Sequence, residues 1–152
     1  MTVHIAIQNE SVETSIPDEN NFTQWTNAAF SGEVADIDVT IRIVDEKEGR
    51  SINNEWRKKD YATNELSFPI GEKLTDTSTL LGDIVICAPV VKREANEQNK
   101  MIEAHWAHLV IHGMLHLQGF DHEDETDANI METKEITILN QFGYANPYES
   151  SA

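Results

Sequence analysis

What this chain of 152 residues lacks narrows its identity first. It has one cysteine, so no internal disulfide is available, and that thiol sits in the apolar run Ile84-Val-Ile-Cys87. A buried, reduced thiol suits a reducing cytoplasm. No apolar run approaches the ~20 residues needed to cross a bilayer. The opening Met1-Thr-Val-His-Ile lacks the basic segment and long apolar stretch of a secretory signal. The expectation is a soluble, cytoplasmic protein with no membrane partner. Positive charge is also scarce, with 11 Lys and Arg against 27 Asp and Glu and a formal net charge of -16. Phosphate backbones are bound by basic surface, so this total stands against a nucleic-acid partner. The few cations are gathered, however. Residues 1–49 hold ten acids and two bases, and 101–152 hold nine acids and one base. Between positions 50 and 60, Arg50, Arg57, Lys58 and Lys59 face only Glu55 and Asp60.

What is present fits one domain over residues 1–152, with 39% hydrophobic residues to build a core. No internal repeat or low-complexity segment interrupts it. Val3–Ile7 alternates like a strand, with His4 on its polar side. Pro17-Asp-Glu opens a helix at its first turn, and Phe22, Trp25, Ala29 and Phe30 form its core stripe. Ile37–Ile43 is the clearest strand, branched residues alternating strictly with polar ones. A charged helix from Asp45 to Lys58, with Ile52 and Trp56 inward, leads through a turn at 59–64 to a short strand at Leu66–Phe68. Pro69 closes that strand, a mobile loop spans 71–79, and Asp83–Cys87 is a third good strand. A polar helix at 89–99 precedes a different one at 101–118. The latter is apolar on nearly every side, the mark of a central, buried helix. A last helix runs from Asp127 to Gln141 and ends at Gly143. Met131, Ile136 and Leu139 supply its apolar contacts, and the tail from Tyr144 to Ala152 should fray.

The one narrow polar stripe of the central helix is His105, His108, His112 and His116. Two histidines four apart lie on one helix face and can reach one ion. Gly119 can end the helix in the left-handed conformation, and the returning chain brings His122. The pattern H-x3-H-x2-G-x2-H is the spacing of the metzincin zinc helix, and three neutral nitrogens leave a tetrahedral Zn²⁺ one open position. One departure matters: Gly113 stands where zinc peptidases carry their glutamate base. Asp121 is placed to orient a ligand from behind. His108 and His112 also have ligand spacing, but lack the glycine and third histidine. His105 and His108 are expected to line the approach to the site or reach solvent. The run Glu123–Asp127 reads as a solvated loop and helix start.

These motifs, together with Ile52-Asn53 through Trp56-Arg57-x-Lys59-Asp60, Thr63-Asn64-x-Leu66-Ser67-Phe68-Pro69 and Leu81-Gly-Asp-Ile-Val-Ile-Cys87, resemble the YbeY family. This is a family of bacterial endoribonucleases and rRNA maturation factors, and the resemblance covers roughly residues 35–143. It implies an α+β domain with a small mixed β-sheet, packed helices, a buried central zinc-binding helix and a metzincin-like metal site. It implies one Zn²⁺ per chain on His112, His116 and His122, and single-strand-specific RNA cleavage in 16S rRNA maturation and ribosome quality control. RNA and the ribosome or its subunit proteins would be the partners. Arg57 would be the required residue, with Lys59 and Ser67 beside it on the substrate and Asp121 as a further catalytic group. Two positions depart from the family pattern: Ala62 stands for a proline, and Glu65 for an apolar residue, often valine. Two other readings remain: a ribosome-binding assembly factor with a structural metal, and a zinc peptidase with an unusual base.

Overall fold

The computed structural model describes residues 2–32 and 36–149. Along them follow β1 (Thr2–Asn9), α1 (Glu19–Ala29), β2 (Asp36–Val44), α2 (Glu46–Arg57), β3 (Glu65–Lys73), β4 (Ser78–Cys87), α3 (Ala88–Glu97), α4 (Ile102–Leu117) and α5 (Glu125–Gln141). The four strands form one sheet in the order β1-β2-β4-β3. β1, β2 and β4 are parallel, and β3 returns antiparallel along β4. The sheet is therefore mixed, and the architecture is α+β.

The alternation read in β2 decides its faces. Ile37, Val39, Ile41 and Ile43 are at most 1% exposed and join the main core. That core lies between the sheet and the pair α1 and α4, with Phe22 packed edge-on against both Trp25 and Trp106. The other sheet face carries a smaller cluster of Val44, Leu66, Val85, Cys87 and Val90, covered by α2 and α3. Helix α4 is the central element. Trp106, Val110, Ile111, Met114 and Leu115 are all buried on it, and each such apolar side chain stabilises the fold by roughly 1.5–3 kcal/mol.

Several expectations are corrected by packing. Pro17 precedes α1 rather than opening it, because the Asp18 side chain caps the helix by accepting from the Asn21 N–H at 2.9 Å. Trp56 does not face inward: it is 63% exposed, and Asn53 takes the buried place. Asn53 Nδ2 donates to the Tyr61 carbonyl at 2.8 Å and so ties the 58–64 turn to α2. Pro69 does not close β3, which continues to Lys73 with a register shift after the proline. An edge strand tolerates a missing N–H. The expected loop at 71–79 shrinks to the hairpin turn around Thr75 and Thr77. On α5 the inward stripe is Met131, Glu135 and Leu139, with Ile136 only partly buried.

Candidate metal centre

Helix α4 ends where the sequence places its stop. Gly119 adopts φ +96, which an L side chain rarely tolerates. The Phe120 N–H reaches the Leu115 carbonyl at 3.0 Å and closes the helix end. The chain then reverses and brings His122 back over the last turn. Ligand nitrogens of His112, His116 and His122 all lie within 4.8 Å of one another. His112 Nε2 and His116 Nε2 are 3.0 Å apart, close to the roughly 3.3 Å that two nitrogens keep around a tetrahedral Zn²⁺.

The chemistry of these donors fits a metal. The His112 Nδ1–H donates to Glu135 Oε1, which holds the proton on Nδ1 and leaves Nε2 as a free lone pair. Burial pushes the His116 imidazole down to about 4, helped by the charges of His112 and His122. It is therefore neutral at pH 7, as ligation requires. Burial opposes the charged form of His112 as well, but the hydrogen bond and charge of Glu135 outweigh it and raise the imidazole. Burial also works against the Glu135 carboxylate. The nearby His108 ring, hydrogen bonds from His112 and Tyr148, and the charge of His112 hold it well below the usual range nonetheless. His108, His112 and Glu135 form a second trio whose possible ligand atoms lie within 4.8 Å of one another, but within it His112 and Glu135 are already hydrogen-bonded to each other.

Glu135 is the residue that sequence reasoning missed. Its signal is present: a glutamate between Met131 and Leu139 on the inward stripe of a helix is a buried carboxylate, and a buried carboxylate needs a partner. The tail was misread too. Tyr148 does not fray. Its hydroxyl donates to Glu135 Oε2, and it stands 3.3 Å from His108 Nε2. His105 is likewise corrected: it neither lines the cleft nor reaches solvent, but is 4% exposed and 3.0 Å from Glu94. His108 does line the cleft.

That cleft has a volume of about 870 Å³ and brings together residues from five parts of the chain. His112, His116 and His122 form one wall, with Arg57, Lys59, Glu65 and Ser67 along others. Arg57 Nη2 donates to the Ser67 carbonyl at 3.3 Å and otherwise lies exposed. Ser67 is 6% exposed, and its hydroxyl donates to Glu65 Oε2. Asp121 lines the cleft, but its Oδ1 accepts from the His122 backbone N–H at 2.7 Å and lies 3.9 Å from the His122 ring. Burial pushes the Glu65 carboxyl up to about 7, against the Ser67 hydrogen bond and the charges of His112 and Arg57. Of the four bases in the 50–60 stretch, Arg50 is already spent on a two-pronged bond to Asp60, at 2.8 and 2.9 Å.

Comparison with known proteins agrees with this arrangement. The family model described as Endoribonuclease YbeY matches residues 5–143. A protein of Pseudomonas savastanoi pv. phaseolicola named Endoribonuclease YbeY is 54% identical over 138 residues, 90% of this chain and 82% of that one. One of the same name from Methylobacillus flagellatus is 49% identical over 144 residues, 95% of this chain and 92% of that one. The solution structure of TM1509 from Thermotoga maritima superposes with a TM-score of 0.61 at 26% identity, covering 96% of this chain and 99% of that one. A match over nearly the whole domain and relatives at about half identity make one conclusion plain: this chain belongs to the YbeY family.

Proposed function

We propose that this chain is a zinc-dependent endoribonuclease that cuts single-stranded RNA, acting in the cytoplasm in 16S rRNA maturation and ribosome quality control. The observation that carries the reading is the shared cleft: three convergent imidazoles on one wall and the exposed Arg57 guanidinium on another. The relatives' name, Endoribonuclease, supports the same reaction class. A Zn²⁺ held by His112, His116 and His122 supplies Lewis acidity toward a phosphodiester when bound. The rest is done by the chain. Glu135 fixes the His112 tautomer, Tyr148 holds Glu135 by donating to it, and His108 backs the Tyr148 hydroxyl in turn. Arg57, anchored on the Ser67 carbonyl, keeps its remaining N–H groups for phosphate oxygens and neutralises charge that develops there. Lys59, in the same cleft, adds a second cation for the backbone. Local cations at the cleft thus serve a substrate that the total charge would repel.

The planar fork of Arg57 separates this role from a surface charge. Arg57→Lys keeps the charge and loses the two-pronged grip. Cleavage of unstructured RNA should fall roughly tenfold or more, about 1.4 kcal/mol of transition-state stabilisation. Zinc content and melting temperature should hold. Full activity in both Arg57→Lys and Arg57→Ala would return the residue to the solvent.

A further inference from the structure

Glycine at 113 leaves the zinc helix without a carboxylate, and the sheet fills the gap. In the antiparallel pairing of β3 with β4, Glu65 stands opposite Ile86 and Ser67 opposite Ile84. Residues directly opposite one another share a sheet face, and Ile84 and Ile86 belong to the core beneath α4. Glu65 and Ser67 therefore point toward α4. A Cβ placed on Gly113 would lie 2.9 Å from Glu65 Oε2 and 3.0 Å from Ile84 Cδ1. The missing side chain at 113 is what leaves room for the Glu65 carboxyl beside the residue that follows His112. That carboxyl lines the cleft shared by Arg57, His112 and His116. Ser67 fixes its direction by donating to Oε2. Among the described residues it has no ion-pair partner within 4.0 Å, and a carboxylate facing a core without one is costly unless it is used.

We propose that Glu65 is the proton acceptor of this cleft, occupying from the sheet the position that a zinc peptidase fills from its helix. The assignment rests on the endoribonuclease reading above and names a catalytic residue within it, one specific to this chain because the family pattern carries an apolar residue at position 65. The attacking O–H, of water or of the ribose 2′-hydroxyl, gives its proton to the Glu65 carboxylate as its oxygen bonds to phosphorus. The bond from phosphorus to the leaving ribose oxygen breaks with its electron pair. Solvent protonates that oxygen as it leaves, and Glu65 returns its own proton to solvent and is a carboxylate again.

The experiment compares wild type, Glu65→Gln, Glu65→Ala and Gly113→Ala, all as purified with metal, on a single-stranded RNA at saturation. Glu65→Gln should lose 100-fold or more in kcat, the usual contribution of a general base. Its zinc content should be unchanged, and its affinity for a 2′-O-methyl RNA of the same sequence should stay within twofold. Formate should restore part of the activity of Glu65→Ala. Gly113→Ala, whose Cβ pushes the carboxyl aside, should lose about tenfold, and adding it to Glu65→Gln should cost nothing more. An RNA with one 2′-deoxyribose at the cleaved position tells the two nucleophiles apart: it survives if the 2′-hydroxyl attacks. Wild-type-like kcat in Glu65→Gln overturns the proposal while metal-dependent cleavage stands. Loss of zinc or of RNA affinity in Glu65→Gln overturns it in favour of a structural role. Casein hydrolysis that disappears with Glu65→Gln overturns it in favour of a peptidase. Failure of the wild type to cut RNA at all is a failure of the endoribonuclease reading itself.

Discussion

Helix α4 carries a histidine–glutamate pair at each end, and the two are built differently. Near the N-terminal end, His105 Nε2 meets Glu94 at 3.0 Å, and Asn64 donates to the same carboxylate oxygen at 2.9 Å. The other ring nitrogen of His105 is buried and has no partner among the described residues. Near the C-terminal end, His112 gives Nδ1 to Glu135 and turns Nε2 to His116 in an open cleft. Both glutamates are held below their ordinary range. For Glu94 the His105 hydrogen bond dominates, and for Glu135 the bonds from His112 and Tyr148, with the nearby imidazoles, outweigh the burial penalty. The same residue types thus make a packing tie in one place and present a ring nitrogen to an open cleft in the other. What separates them is which nitrogen the carboxylate takes and whether the second one has space before it.

The comparison breaks most visibly on substitution of the two carboxylates. Glu135→Gln keeps the shape but weakens the orientation of His112, so zinc affinity should fall by roughly 10- to 100-fold. Glu94→Gln should leave zinc affinity unchanged and lower the melting temperature by a few degrees. Competition titration against a zinc chelator reads the first, and thermal melting the second. Equal zinc affinities in the two variants would make the ends of α4 equivalent and contradict the account.

Acid sharpens the same contrast in the metal-free protein. The Glu135 carboxyl is depressed in the folded state, so its contribution is fully present above its unfolded pKa of ~4.5. It is lost as pH falls through the lower folded value. Urea midpoints of wild type should therefore drop as pH is taken down from ~4.5. Glu135→Gln should be less stable near neutrality by about 1–3 kcal/mol, the cost of losing hydrogen bonds to a buried charge. That deficit should shrink toward acid. A deficit that stayed constant from pH 7 to pH 3 would mean that Glu135 is not ionised in the fold.

The smallest expected effect concerns Tyr148, which donates to Glu135 Oε2 at one side of the cleft. Tyr148→Phe removes one hydrogen bond, worth about 1 kcal/mol. Zinc affinity should fall about fivefold at most, with the melting temperature of the metal-free protein lowered by roughly 2–4 °C. A loss as large as that of Glu135→Gln would give Tyr148 a larger part in the site than its single hydrogen bond explains.

The difference between the two ends of α4 also marks where sequence reading reached its limit. The ligand spacing was legible because helix geometry and a glycine stop are local: His112, His116, Gly119 and His122 lie within eleven residues. Strand β2 was legible because alternation is local too. Tyr148 and Glu65 reach the cleft from the tail and an edge strand, Glu135 reaches His112 behind it from α5, and only tertiary packing decides where those elements lie. The burial of His105 has the same origin, since a polar stripe on a helix does not say which part of it another helix covers. Trp56 was misjudged for the converse reason. It sits on the helical stripe of Ile52, but at the end of α2 it packs edge-on against Phe68 of the edge strand β3, with ring centroids 6.0 Å apart, and stays mostly exposed.

The central claim is that His112, His116 and His122 hold a divalent metal on which RNA cleavage depends. The most direct measurement is metal content by mass spectrometry, paired with cleavage of a single-stranded RNA before chelation, after chelation and after zinc is returned. For wild type, one zinc per chain should be found, and cleavage should vanish with the chelator and come back with zinc. His116→Ala should lack the zinc and stay inactive when it is supplied. Equal zinc in both proteins, or cleavage that the chelator leaves untouched, would contradict the account.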